Sequence, residues 1–227
     1  AKDGNSAEKT AKEFAQKFWN TRRDYRFLVE TGGVEDCVKK ATEYRGGRVF
    51  LTDSGDNTTA GADGRRTDIL NAFLKNGVTE KKICVSGITS PEIVCEAMKK
   101  KAGEEIDIPL VGRVEKGKIL RYGKILGWAK DIIGDTVSVE IGNVTAVFTQ
   151  KRSAFISKEN FDRAYEDLES YDIIVVKQGY LFSELSPFCE KQFFVLSDGA
   201  SCVDIFRLNL RKIPRPMFPL DDFDWNP

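Results

Sequence analysis

The sequence predicts an α/β protein with a largely parallel sheet flanked by helices and an antiparallel β-hairpin region in the middle, at about 106–149. Three observations predict it. Strand-length apolar runs at 49–53, 82–86 and 171–176 alternate with stretches whose apolar residues fall at helical spacing. The run Ile173-Ile174-Val175-Val176 is apolar without a break, the pattern of a strand covered on both faces. Between 106 and 149 short strand-like runs are broken by glycine, the texture of hairpins rather than of strand-helix repeats.

In chain order, Asn5 with Glu8 three residues on is a candidate helix start, and Ala7, Ala11, Phe14, Ala15, Phe18 and Trp19 form one apolar face. A face of that size needs cover, from the rest of the chain or from a neighbour. Residues 25–30 read as a strand and 34–44 as a helix, with Val34, Cys37, Val38 and Ala41 on one side and Gly46-Gly47 ending it. The strand at 49–53 leads into a polar loop and a helix at 65–76 carrying Ile69, Leu70, Phe73 and Leu74. After the strand at 82–86, Ser90-Pro91-Glu92 starts a helix to about residue 101, with serine capping and proline in the first turn.

Strands are then expected at 108–114, 118–122, 136–141 and 144–149, with turns at Glu115-Lys116-Gly117 and Gly142-Asn143. A helix at 157–168 opens on Ser157 with Asn160 at the capping-box distance, and the strand 171–176 follows. Residues 182–191 look helical, and 193–196 and 204–208 strand-like. Pro214, Pro216 and Pro219 exclude a helix or central strand from the tail, which is expected to strap across the surface and finish in a docked or frayed end at 221–227.

Composition narrows the function. A chain of 227 residues can bury a sizeable core, and its 35 basic residues balance its 35 acidic ones, so no global field favours nucleic acid or an anionic membrane. No apolar run approaches the ~20 residues of a membrane span, and a cytoplasmic location is expected. The chain contains 0 histidines, which argues against a self-contained zinc hydrolase or a histidine-based triad. Its 5 cysteines are scattered without zinc or redox spacing; Cys84 and Cys95 are expected as buried thiols, and Cys202 lies in a polar turn. No catalytic residue and no metal ligand is assigned to this chain.

The most informative stretch is the loop Ser54-Gly55-Asp56-Asn57-Thr58-Thr59-Ala60-Gly61-Ala62-Asp63-Gly64. Loops leaving the carboxyl end of a parallel strand face the ligand crevice. Asp53, Asp56, Asn57, Thr58 and Thr59 supply oxygens, and the glycines supply backbone freedom. The loop lacks the ligand alternation of a calcium loop and the terminal lysine of a phosphate-binding loop. At a second strand end, Lys177-Gln178-Gly179-Tyr180 places a cation and an amide. The candidate substrate-binding residues are therefore Asp53, Asp56, Asn57, Thr58, Thr59, Lys177 and Gln178.

Four segments together resemble one family. Leu51-Thr52-Asp53-Ser54-Gly55-Asp56-Asn57-Thr58-Thr59-Ala60-Gly61, Val147-Phe148-Thr149-Gln150-Lys151-Arg152, Ile174-Val175-Val176-Lys177-Gln178-Gly179-Tyr180-Leu181-Phe182 and Arg215-Pro216-Met217-Phe218-Pro219-Leu220-Asp221 are similar, in that order, to segments of the carboxyl-terminal domain of microcystinase C and its relatives. Leu181 stands where many relatives carry histidine. The resemblance implies a zinc metallopeptidase family whose metal ligands lie in an amino-terminal domain. It implies that residues 1–30 link from that domain, and that 31–227 form the carboxyl-terminal α/β domain with its β-rich insertion at 106–149. Zinc is then a cofactor of the full-length parent. The implied partners are the amino-terminal domain and a peptide or amide substrate, and a second copy of the chain remains a candidate. The alternative is a non-catalytic α/β module that binds a small anionic ligand or a partner protein.

Overall fold

The computed structural model describes residues 3–76 and 79–225; the extreme ends of the expected linker and tail lie outside these residues. The chain divides into two compact units, one of residues 29–203 and one joining 1–28 to 204–227.

The larger unit is built on nine strands. They are β1 (Glu30–Gly32), β2 (Val49–Asp53), β3 (Ile83–Thr89), β4 (Glu105–Leu110), β5 (Arg113–Leu126), β6 (Ile132–Ile141), β7 (Val144–Thr149), β8 (Ile173–Val176) and β9 (Lys191–Val195). They form one sheet in the order β1-β9-β2-β8-β3-β7-β6-β5-β4. From β1 to β7 all neighbours run parallel; from β7 to β4 they run antiparallel. The sheet is thus largely parallel with a hairpin region, the expected class.

Helices α2 (Val34–Glu43), α3 (Asp68–Lys75) and α4 (Pro91–Ala97) contribute to one apolar cluster with Leu51, Val85 and Val175. Helix α5 (Lys158–Arg163) contributes Phe161 to a second cluster with Phe50, Cys84, Val147 and Ile174. Strand β8 is central because its residues alternate between the clusters, Ile173 and Val175 into the first, Ile174 and Val176 into the second. Burying both faces removes apolar area from water twice, which is why the strand reads as an unbroken apolar run.

Several elements differ from expectation. The first turn of the hairpin region lies at Val111-Gly112, with Gly112 at φ 77°, and not at Glu115-Lys116-Gly117. Gly117 lies inside β5, opposite Ile106, where a Cβ would stand 2.4 Å from Val139. That glycine marks close packing within a strand and not a turn. The Gly142 turn between β6 and β7 is as expected.

Residues 25–30 form no strand before Glu30. The stretch 182–191 is not a helix, because Pro187 limits it to a 3-10 turn at Ser186–Phe188. Residues 204–208 hold a 3-10 turn at Ile205–Arg207, capped by the Asp204 side chain, rather than a strand. Helix α5 stops at Arg163, and Tyr165 at φ 55° reverses the chain. Cys37 and Cys84 are buried, whereas Cys95 is exposed on the outer side of α4.

The smaller unit contains α1 (Gly4–Thr21), capped by Asp3, which accepts the Ser6 amide at 2.7 Å, and not by Asn5. Trp19 packs against Phe223, Trp225 and Phe218 at ring separations of 4.9, 5.6 and 6.2 Å. The Arg22 guanidinium lies 3.9 Å from its ring centre. Phe14 and Phe18 remain exposed.

Candidate functional site

The loops that leave β2, β8, β9 and β7 meet at the carboxyl edge of the sheet. Asp53 ends β2 and Lys177 follows β8, and these strands pair in register with Thr52 opposite Val176. Sequence neighbours of a register pair stand side by side, so carboxylate and ammonium meet. Lys177 is only 3% exposed. Its Nζ donates to Asp56 Oδ2 at 2.7 Å, Asp53 Oδ2 at 3.1 Å and the Arg66 carbonyl at 2.7 Å, which uses all three ammonium protons.

The carboxylates are satisfied on their other sides as well. Asp56 accepts the Gly64 amide at 2.9 Å and the Arg66 amide at 2.8 Å, so it folds the loop back on itself. Asp53 Oδ1 accepts the Asp56 amide at 3.3 Å and the Ser197 hydroxyl. Burial by itself lowers the Lys177 pKa; the charges of Asp53 and Asp56 more than reverse this and hold it above the ordinary lysine range.

The loop after β9 locks the same turn. Ser54 donates through Oγ to the Val195 carbonyl at 2.7 Å, and the Gly55 amide donates to Ser197 Oγ at 2.9 Å. Ser201 Oγ accepts the Asn57 amide at 2.9 Å. Gly55 is required here, because a Cβ would lie 2.2 Å from the Ser197 carbonyl oxygen. From the other side, Thr58 donates through its amide to the Lys177 carbonyl at 3.1 Å and through Oγ1 to the Ser153 carbonyl at 3.3 Å. Arg152 donates to the Gly61 carbonyl at 3.3 Å.

All seven sequence-derived candidates thus lie at one sheet edge, in different environments. Asp53, Asp56, Lys177 and Thr58 are buried and paired within the loops. Gln178 is 1% exposed, and both polar atoms of its amide are without a hydrogen-bond partner. Asn57 and Thr59 are half-buried, and Asn57 Oδ1 accepts both the amide and the hydroxyl of Thr59, at 2.9 and 2.7 Å.

Sequence reasoning passed over Ser197, Ser201, Ser153 and the Arg66 backbone. A signal existed for Ser197 and Ser201: the loop Ser197-Asp198-Gly199-Ala200-Ser201 follows a strand-like run, the logic that singled out the other two loops.

The residues present do not fit a zinc centre. Among the described residues no group of three or more His, Cys, Asp and Glu side chains is placed to hold a metal ion. The two carboxylates that do meet have their charge taken up by Lys177.

A largely parallel sheet flanked by helices, with its loops converging at the carboxyl edge, makes this an α/β domain. The family model described as MlrC C-terminus matches residues 51–212, and the chain belongs to that family. A solved structure, "putative metallopeptidase" from Mesorhizobium sp. BNC1, superposes with a TM-score of 0.74 at 14% identity. The superposition covers 95% of this chain and 46% of that one, so the chain spans about half the length of the relative it matches and shares its fold. Comparison with curated protein sequences gives no significant match.

Proposed function

We propose that this chain is the carboxyl-terminal domain of a zinc-dependent peptide or amide hydrolase, and that its carboxyl sheet edge forms one wall of the substrate cleft. The observation that carries the reading is the Lys177-Asp53-Asp56 knot, which pins loops from neighbouring strands into one surface. Membership of a family described as a carboxyl terminus, and the fold shared with a protein more than twice as long, support an amino-terminal partner domain. That domain supplies the zinc ligands, and the metal supplies an activated water. The residues of this chain bind and orient. Asn57 Nδ2 is the donor offered to a substrate carbonyl, and Thr59 fixes the Asn57 amide. Asp53, Asp56, Thr58 and Lys177 hold these groups in place from beneath.

The reading extends to location. Five free thiols suit a reducing cytoplasm, and no helix among the described residues is long and apolar enough to cross a membrane.

The test is kinetic, on the full-length protein. Asn57→Ala is expected to lower kcat/KM for a peptide or amide substrate at least ~10-fold, with the melting temperature nearly unmoved. Unchanged kinetics in a folded variant would leave this edge as scaffold.

A further inference from the structure

A cavity of about 460 Å³ lies between the β5-β6 turn, the segment after β7 and the start of α5. Its lining combines the apolar side chains of Leu126, Trp128, Ile133, Ala154 and Ile156 with Arg152. Arg152 and Ser153 belong to this lining and also bond the 57–61 loop. Two features there have no account in folding. Trp128, on the turn between β5 and β6, is 70% exposed, although that turn is closed by the Gly127 amide on the Asp131 carbonyl at 2.8 Å. Its ring stands 6.3 Å from Phe182 and leaves its remaining surface on the rim. Arg152 uses one N–H on a backbone carbonyl and has no carboxylate partner among the described residues.

The other lining charges are largely spent. Lys158 pairs with Asp162 at 2.7 Å, and Glu159 with Lys130 and Arg163 at 3.6 and 3.5 Å. Glu184 is a carboxylate on the same lining, bonded to Ser183 Oγ at 2.8 Å. An unpaired guanidinium at the edge of an apolar hollow is the chemistry that recognises a carboxylate attached to an apolar side chain.

We propose that this cavity is a subsite for the carboxylate-bearing end of an apolar peptide: Arg152 takes the carboxylate, and Trp128 with Ile133 and Ile156 takes the side chain. This rests on the cleft reading for its substrate class, and it stands on its own geometry as a binding site.

The probe is N-acetyl-leucine titrated into the chain by calorimetry or ligand-observed NMR, against N-acetyl-leucinamide, which lacks the carboxylate. The acid is expected to bind at least ~10-fold more tightly, equivalent to about 1.4 kcal/mol. Arg152→Met abolishes that preference and Arg152→Lys restores part of it; Arg152 is exposed, so both variants fold. Trp128→Ala weakens acid and amide alike, and Glu184→Gln tightens the acid alone. Equal binding of acid and amide, or a preference that survives Arg152→Met, overturns the subsite. The cleft reading is scored separately by Asn57→Ala turnover. Lost turnover without an acid preference defeats the subsite alone. An acid preference with Asn57→Ala and Arg152→Met both kinetically silent in the full-length protein removes the peptide assignment.

Discussion

Replacing Lys177 by methionine keeps most of the side-chain bulk and removes only the charge and its protons. The structure makes the consequence calculable. Asp53 and Asp56 stay buried, at 4% and 1% exposure, each losing its Nζ contact. Breaking a buried pair from one side costs ~3–5 kcal/mol, because a charge is left without compensation. Here the Gly64 and Arg66 amides and the Ser197 hydroxyl still serve the carboxylates, which argues for the lower end, about 3 kcal/mol. In a domain of this size each kcal/mol moves the midpoint by ~2–4 °C, so the melting temperature should fall by about 6–12 °C. Urea unfolding followed by far-ultraviolet circular dichroism gives the free energy, with an unchanged slope confirming that only stability moved. Asp56→Asn combined with Lys177→Met closes a cycle in which the two losses are not additive, by ~0.5–3 kcal/mol. A loss below ~1 kcal/mol, the value of an exposed ion pair, would refute the claim that this knot holds the edge together.

Because the Lys177 pKa is raised, its stabilisation is complete below the unfolded value of about 10.4 and lost as pH rises through the higher folded value; the gap between wild type and Lys177→Met should therefore close in alkaline urea titrations and stay open at neutral pH. Gly55→Ala should destabilise by ~1–3 kcal/mol or more, since its Cβ meets the Ser197 carbonyl, and an unshifted urea midpoint would contradict the packing. Tyr171→Phe should cost ~1–3 kcal/mol, because the Tyr171 hydroxyl donates to the buried Glu166 carboxylate, which Arg121 also holds at 3.2 Å; a neutral urea midpoint would show that Arg121 suffices. With Trp128 and Trp225 replaced by phenylalanine, Trp19 should emit to the blue of free tryptophan, given its contacts with Phe218 and Phe223; a free-solution spectrum would deny that packing.

The parallel core was legible because its signals are local. Val49-Phe50-Leu51 and Ile173-Ile174-Val175-Val176 declare buried strands by apolar continuity, and Ser90-Pro91 declares a helix start that the Ser90 side chain confirms. The errors fall where one residue type serves two purposes. Gly117 looked like a turn because glycine permits turns, yet it occupies a strand position with no room for a side chain. The 182–191 stretch has helical composition, but Pro187 and the bonds of a 3-10 turn decide otherwise. The candidate site was legible as a set of loops and not as a set of bonds. That Lys177 reaches Asp53 follows from the pairing of β2 with β8, strands more than a hundred residues apart, which no local pattern reveals. The pairing of Trp128 with Arg152 was hidden for the same reason: their shared cavity exists only once the β5-β6 turn lies beside the loop after β7.

The position of the knot bears on how such an edge could serve a cleft. A group that orients substrate works only if it is held to within a fraction of an ångström, and loops do this poorly unless something beneath fixes them. Here a single ammonium ties the ends of β2 and β8 to the backbone of the loop before α3, while Ser197 and Ser201 tie the same loop to the segment after β9. The charges of Asp53, Asp56 and Lys177 are spent below the surface, whereas Asn57 and Thr59 are only half-buried and Arg152 is exposed. That division accounts for Asp53 and Asp56, which serve as internal ligands for lysine and not for a metal. It also separates two kinds of defect. Substitutions in the knot should act first on stability and through it on everything the edge does, whereas substitutions at Asn57 or Arg152 should change recognition and leave the fold intact.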